Sequence, residues 1–145
     1  MDLGNVEACL KAFFEDDARG ALAVYLYGSV ARGEARPDSD VDVGVLFAEE
    51  PPPTLDAPQF AVEAALERHL GRPVQVVALN RAPADLVHRV LRDGRLVLDR
   101  DRPARLRFEV QRRNEYFDLA AVRRQYRRYP AEDADAAGRV AERRR

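Results

Sequence analysis

The chain has 145 residues, the size of one ordinary domain, and is long enough to bury a core. Its 24 basic and 25 acidic residues nearly cancel, so the whole chain has no net attraction for nucleic acid or for a membrane surface. A single cysteine, Cys9, excludes an intramolecular disulfide and a thiolate metal cluster. No apolar stretch approaches the roughly 18 to 20 residues of a membrane span and no secretory signal is visible, so we expect a cytoplasmic protein without membrane contact.

The first predicted elements are a helix and a buried strand. Apolar residues three and four apart predict an amphipathic helix over residues 3 to about 17. Residues 21–27 (ALAVYLY) are almost wholly apolar and rich in β-branched and aromatic side chains, which predicts a buried strand. Gly28 and Ser29 close that strand, and residues 30–33 have room for one helical turn.

A turn and a second strand follow. Residues 36–39 (RPDS) have the composition of a turn. Residues 40–47 (DVDVGVLF) alternate, with valines on one side and Asp40, Asp42 and Gly44 on the other. Since successive side chains of a strand point to opposite faces, this pattern predicts a strand with one polar face.

The second half of the chain is predicted to add two strands and three helices. After an acidic, proline-rich loop at 49–53, apolar spacing indicates a helix of about 15 residues that ends at Gly71. Residues 73–79 (PVQVVAL) predict a third strand. A short helix opens at Pro83 and stops at Gly94, and residues 96–98 are expected to form a short edge strand.

A long helix is predicted from Pro103 to about Arg128, and the polar residues 129–145 are expected to form a flexible tail. No repeat or internal boundary is visible. The sequence therefore predicts one domain over residues 1–128 of mixed α/β (α+β) class, with a small mixed β-sheet flanked by helices.

The segment from Gly28 to Asp42 carries the predicted chemistry. Glycine permits a positive φ and a close backbone approach at the strand end, and Ser29 adds a hydroxyl beside a turn whose free N–H groups attract anions. Asp40 and Asp42 lie two apart on a strand, so both carboxylates share one face and offer Mg²⁺ the hard oxygen ligands that it prefers. Either feature alone is an ordinary turn or a solvated strand face. Together they predict a site for a nucleoside triphosphate and its Mg²⁺.

This segment resembles the signature of the nucleotidyltransferases of the DNA polymerase β superfamily, which reads GS, about ten residues, then DxD. Gly28-Ser29 and Asp40-Val41-Asp42 are separated by ten residues, and Ala31, Arg32, Gly33 and Ser39 match the extended form of the signature. Among the small members, the chain is most similar to the MntA-type antitoxins, the minimal nucleotidyltransferase partners of HEPN-domain toxins. Further segments carry that similarity: residues 79–83, 94–97 and 114–119.

The resemblance implies a polymerase-β-like fold and an adenylyltransferase that uses Mg²⁺ and ATP. It implies that AMP is placed on a tyrosine hydroxyl of a HEPN ribonuclease toxin, which silences the toxin, and that the two proteins associate. By position, Gly28 and Ser29 bind phosphates, whereas Asp40 and Asp42 are catalytic and hold the metal. Arg32 and Ser39 complete the nucleotide site, although Arg32 is equally readable as a solvent-exposed arginine on a short turn.

The chain departs from the family pattern at the third carboxylate. The resemblance implies acids in the third strand, but Gln75 and Ala78 stand at those positions. The Gln75 amide still offers a carbonyl oxygen to a metal, yet it is neutral and cannot act as a base. The alternative function is therefore a catalytically weak or inactive protein that neutralises its toxin by stoichiometric binding. Transfer to a small molecule ranks lower, since the chain lacks a second helical domain to wall such a pocket.

The remaining polar candidates are weaker. His69 and His88 lie on different predicted helices with no partner at ligand spacing, so we expect surface roles for both. Three acids of the C-terminal half could approach the site from another element: Asp99, Asp101 and Glu109. The tyrosine- and arginine-rich run at 116–129 is compatible with nucleic acid, an acidic protein partner or solvent. We do not expect direct nucleic-acid binding, and homo- and hetero-oligomers both remain open.

Overall fold

The computed structural model of the chain describes residues 3–127. The predicted tail at 129–145 lies outside these residues. The elements in chain order are α1 (Leu3–Asp16), β1 (Ala21–Tyr27), α2 (Gly28–Ala31), β2 (Val41–Phe47), α3 (Pro58–Leu70), β3 (Val74–Ala78), a 3₁₀ turn (Leu79–Arg81), α4 (Ala84–Asp93), β4 (Arg95–Asp99) and α5 (Arg102–Arg127).

The four strands form one mixed sheet in the order β3-β2-β1-β4. Strand β1 pairs antiparallel with both β2 and β4, whereas β2 and β3 run parallel. The parallel pair requires a crossover, which α3 provides between β2 and β3. The predicted mixed sheet flanked by helices is confirmed, and β4 occupies an edge of the sheet as expected.

One face of the sheet packs against α1 and α3. Alternate residues of the strands point to this face, and they meet the apolar sides of the two helices in one continuous core. Fully buried members from the helices and strands include Leu10, Phe14, Val24, Leu26, Val43, Val45 and Leu66. None of the helices within residues 3–127 combines the length and apolar character that a membrane crossing needs.

The opposite face of the sheet is also largely covered, which corrects the prediction that β2 has one polar face. Gly44 is buried beneath Leu79 of the 3₁₀ turn, and Leu46 is buried in a cluster with Val87 and Val90 of α4. A Cβ on Gly44 would lie 3.0 Å from a methyl carbon of Leu79, so the glycine makes room for that leucine. Only the Asp42 end of this face remains polar, because α4 covers the rest.

Element boundaries differ from the predictions by one or two residues around the functional segment. Helix α2 begins at Gly28, whereas the predicted turn began at Val30, and β2 begins at Val41, one residue after Asp40. The side-chain amide of Asn80, just after β3, bonds both the N–H and the carbonyl of Phe47 at 2.9 Å, which fixes the far end of β2.

Helix α5 is attached to the sheet by a buried polar cluster. The Tyr25 hydroxyl donates to Glu109 Oε1 at 2.7 Å, and Arg105 bonds the same oxygen at 3.0 Å. Glu109 is only 7% exposed. Buried hydrogen-bonding groups are costly to leave without partners, so this cluster fixes the register of α5 on the sheet.

Glu109→Ala is expected to lower the free energy of unfolding by about 1–3 kcal/mol, because it leaves the buried Tyr25 hydroxyl and the Arg105 guanidinium without their acceptor. Urea denaturation followed by circular dichroism measures the change. Glu115→Ala removes a carboxylate from the same helix whose side chain is 43% exposed, and should cost below about 1 kcal/mol. Equal losses in the two variants would show that the cluster does not anchor α5.

Candidate active site

Three strands and two helices surround a cleft of about 530 Å³ at one end of the sheet. Its floor consists of side chains on the face of the sheet that α4 leaves open: Tyr27, Asp42, Gln75 and Val77. Its walls come from α2 and from α4: Gly28, Ser29, Arg32, Leu86, Arg89 and Asp93. Polar and charged side chains therefore converge on a concave surface, as in ligand sites.

Gly28 forms the bend between β1 and α2, and this bend lies directly against the Asp42 carboxylate. Its φ is +77°, which confirms the predicted positive φ. A Cβ at this position would overlap Asp42 Oδ2 and lie 3.1 Å from Asp42 Cγ. Only glycine accommodates both the backbone conformation and this contact. The predicted phosphate bend and the predicted metal ligand are thus direct neighbours in space.

Asp42 lies in the centre of the cleft floor. Its register partners are Tyr27 on β1 and Gln75 on β3. Burial raises the pKa of the Asp42 carboxyl above its ordinary value, the charge of Asp40 raises it further, and the charge of Arg32 lowers it. Asp40 precedes β2, is exposed, and is not among the residues that line the cleft. The two carboxylates interact electrostatically, although only Asp42 forms part of the floor.

Asp42→Asn is expected to raise the melting temperature of the ligand-free chain near neutral pH. A carboxyl whose pKa is raised on folding binds its proton more tightly in the folded state, so stability falls as the pH rises through that pKa. The neutral amide removes this penalty, and the gain should shrink as the pH falls toward about 4. Differential scanning fluorimetry across this pH range measures both effects. Asp38→Asn in the exposed turn is the control, and a lower melting temperature for Asp42→Asn would contradict the assignment.

Ser29, Arg32 and Ser39 occupy different positions relative to the cleft. Ser29 and Arg32 line it, and Arg32 Nε also bonds Glu34 at 3.1 Å on the surface. Ser39 does not line the cleft. Its hydroxyl accepts the N–H of Arg36 at 2.8 Å, so it holds the turn that leads into Asp40.

The two positions at which a third carboxylate is expected lie on opposite faces of β3. Gln75 lines the cleft directly beside Asp42. Ala78 is buried in the core formed with α1 and α3, where a carboxylate would be desolvated. Among the two, Gln75 alone is placed to act on a ligand of the cleft.

The sequence did not identify three polar residues of the cleft: Tyr27, Arg89 and Asp93. Burial raises the pKa of the Tyr27 hydroxyl to about 12, the charge of Asp42 adds to the rise, and Arg89 opposes it. Leu86, Arg89 and Asp93 are three and four residues apart, and this helical spacing was the feature of the sequence that indicated that they share one side of a helix. The hydrogen bonds that Asp93 accepts from Arg92 lower the pKa of the Asp93 carboxyl. Asp93 is therefore an ionised carboxylate at the edge of the cleft.

The other candidates have roles away from the cleft. His69 packs on Phe13, and the ring of His88 stacks on Tyr116 at 3.7 Å. Asp99 and Glu109 bond Arg105, and Asp101 accepts the N–H of Ala104 at the start of α5. None of these three acids lines the cleft, so they do not supply the third carboxylate.

The donor set suits a metal that arrives with its substrate. Within residues 3–127, no group of three or more histidine, cysteine, aspartate or glutamate side chains could hold a metal by itself. Asp40, Asp42 and the Gln75 carbonyl are all hard oxygen donors, and no histidine or cysteine is among the described residues that line the cleft. Mg²⁺ is commonly held by one or two carboxylates together with substrate phosphates, which is the arrangement that these residues fit.

Comparison with protein families gives one match. The model of the family described as "Polymerase beta, Nucleotidyltransferase" matches residues 9–103, which include the bend, the aspartates and Gln75. Among curated proteins, none matches the chain.

Several solved structures share the fold. One is the crystal structure of a toxin–antitoxin with AMP-PNP, at 24% identity and a TM-score of 0.69, covering 82% of this chain and 93% of that one. A second is an MNT antitoxin in complex with the tri-AMPylated HEPN toxin of Shewanella oneidensis, at 21% identity, a TM-score of 0.65, and coverage of 85% and 93%. A third is described as a candidate minimal nucleotidyltransferase, at 39% identity and a TM-score of 0.54, covering 66% of this chain and 95% of that one.

Proposed function

This chain belongs to the polymerase β nucleotidyltransferase family, and we propose that it is an antitoxin that transfers AMP from ATP to a tyrosine hydroxyl of a HEPN-family toxin. The observation that carries the proposal is the contact of the Asp42 carboxylate with the Gly28-Ser29 bend inside one cleft. The similarity in fold to chains crystallised with AMP-PNP and with an AMPylated HEPN toxin supports the choice of nucleotide and acceptor.

In this proposal the cleft binds the triphosphate along α2. The Ser29 hydroxyl and the backbone at Gly28 hold the β- and γ-phosphates, and Arg32 exchanges its exposed partner Glu34 for a phosphate oxygen. Arg89 approaches from α4 as a second cation that makes no ion pair within the described part of the chain. Asp40 and Asp42 hold Mg²⁺, which when bound neutralises phosphate charge. Ser39 supports the site by fixing the turn before Asp40.

The transfer forms one bond and breaks one. The tyrosine oxygen of the toxin attacks the α-phosphorus of ATP, the new oxygen–phosphorus bond forms, and the bond to the β-phosphate breaks with release of pyrophosphate. The hydroxyl proton passes to solvent, because the amide of Gln75 cannot accept it. The chain's own residues position the phosphates and leave the side of the α-phosphate that faces solvent open to the acceptor.

A second candidate function is inhibition by binding alone, and Gln75 is the observation that favours it. With a neutral side chain in place of the third carboxylate, the cleft holds one negative charge fewer for metal and has no base at that position. In this alternative, the chain neutralises its toxin as a stoichiometric complex.

Labelled ATP separates the two candidates. The chain is incubated with Mg²⁺, ATP labelled at the α-phosphate, and a HEPN-family toxin. Label on the toxin, lost in the Asp40→Asn, Asp42→Asn double variant and retained in Asp38→Asn, supports transfer. Toxin inhibition without label supports binding alone. Undiminished label with the double variant would refute the site assignment.

A further inference from the structure

Three large apolar side chains remain exposed along one side of helix α5. Leu106, Val110 and Phe117 are 40%, 55% and 56% exposed. At about 100° per residue, their side chains lie within about 40° of one another around the helix axis. The inward side of α5 is formed by other residues, among them Arg105 and Glu109, which bond β4 and β1. The three apolar side chains, here called the α5 stripe, lie beside these inward contacts and remain exposed, and the Phe117 ring also meets the His88 ring of α4 edge to face at 6.1 Å.

Arginines accompany the α5 stripe. Arg102, Arg113 and Arg124 lie within about 40° of Leu106 around the axis. Arg113 is 3.9 Å from Glu109, a carboxylate that is already bonded to Tyr25 and Arg105, whereas Arg102 and Arg124 make no ion pair within residues 3–127. Apolar side chains bordered by unpaired cations are complementary to an amphipathic helix with acidic flanks.

The comparisons separate α5 from the part of the fold that defines the family. The family model ends at residue 103, one residue into α5. The chain described as a candidate minimal nucleotidyltransferase covers 66% of the 145 residues, about 96 residues, which is nearly the length of the family match. The MNT antitoxin chain covers 85%, about 123 residues, which exceeds the 119 residues that lie outside the 26-residue α5, so its alignment includes part of α5. Part of the helix is thus shared with a chain that was solved in complex with a HEPN toxin.

We propose that the α5 stripe is the surface on which this chain holds its HEPN toxin, through an acidic amphipathic helix of the toxin. The inference rests on the proposed function, since it assumes that partner. None of the stripe residues lines the nucleotide cleft between α2 and α4, so docking on the stripe leaves that cleft free. Binding of the toxin and transfer of AMP are therefore separate properties of two surfaces.

The test measures complex formation without nucleotide. The full chain and the same HEPN-family toxin are mixed in EDTA, and the affinity is measured by isothermal titration calorimetry. The Val110→Asp, Phe117→Asp double variant should bind at least about tenfold more weakly, because it places two charges in the apolar centre of the interface. Arg113→Glu with Arg124→Glu should weaken binding as well and remove most of its salt dependence.

The matched control is Leu55→Asp with Phe60→Asp, which adds the same two charges at positions that are 87% and 45% exposed elsewhere on the surface. Circular dichroism and the rise in melting temperature with Mg²⁺ and ATP should be unchanged in every variant. Equal affinity of the stripe variant and the wild type, or an equal loss in the control, would overturn the inference alone. A wild-type dimer that the stripe variant dissociates would also overturn it. Absence of wild-type binding to the toxin would overturn the inference, whereas the proposed transfer would still be tested by the labelled-ATP experiment, which needs no stable complex.

Discussion

Gly28→Ala is expected to reduce AMP transfer by about 100-fold or more, a loss typical of displaced catalytic groups. The new methyl group would occupy the position of Asp42 Oδ2, so the carboxylate must leave its place against the bend. The central ligand for the metal and the cradle for the phosphates would then no longer face each other. Transfer of label from ATP to the toxin under saturating Mg²⁺ measures the effect, and titration with Mg²⁺ in the presence of ATP measures the loss of metal affinity.

Gly33→Ala is the matched control for this experiment. Gly33 has a φ of +72°, close to that of Gly28, but a Cβ there would meet no atom within 4 Å. Both variants therefore carry the backbone cost of alanine at positive φ, about 1–2 kcal/mol, and only one displaces a carboxylate. We expect similar losses of stability and unequal losses of transfer. Full activity of Gly28→Ala, or equal loss in both variants, would show that the contact with Asp42 does not organise the site.

The sequence predicts the elements that depend on strong local patterns. The apolar run at 21–27 forms β1 with the predicted bounds, and Gly71 ends α3 in a left-handed conformation as glycine favours. Helix α5 begins within one residue of its predicted start and is helical to Arg127, the last described residue, because its long run lacks glycine and has its one proline in the first turn. In each case the local preference and the tertiary environment favour the same structure.

The predictions from sequence are wrong or incomplete where tertiary packing determines which side chains are covered. Alternation in β2 predicts a polar face that includes Gly44, but α4 and Leu79 cover that position. The walls of the cleft were missed for the same reason, because Arg89 and Asp93 reach the site only through the way α4 lies across the sheet. Helical spacing places them on one side of α4 but does not reveal what that side faces.

The proximity of the proposed metal and phosphate residues was predictable because their spacing is local. Gly28 directly follows β1, and Asp42 lies on the adjacent antiparallel strand β2, which the motif connects to β1, so the same sequence that identifies the two residues also brings them together. The third position is different. The family resemblance implies an acid at both position 75 and position 78. The register of β3 against β2 is needed to show that only Gln75 lies on the same face as Asp42.

Gln75→Asp is therefore expected to increase AMP transfer, by about tenfold or more if the reaction is limited by the missing carboxylate. The register places position 75 beside Asp42 on the open face, so the new carboxylate joins the donor set without entering the core. Three like charges in one cleft repel one another, so the melting temperature in EDTA should fall. The rise on adding Mg²⁺ and ATP should exceed that of the wild type, because the added charge strengthens metal binding.

Gln75→Asn is the matched variant, since it shortens the side chain in the same way and adds no charge. It should leave the melting temperature in EDTA nearly unchanged and should not increase transfer. Labelled ATP and thermal denaturation with and without Mg²⁺ measure both properties on the same samples. If Gln75→Asp and Gln75→Asn behave alike, charge at this position does not limit the chemistry. If Gln75→Asp gains Mg²⁺-dependent stability but no transfer, the cleft binds metal and nucleotide, and inhibition of the toxin by stoichiometric binding becomes the better account of the wild-type chain.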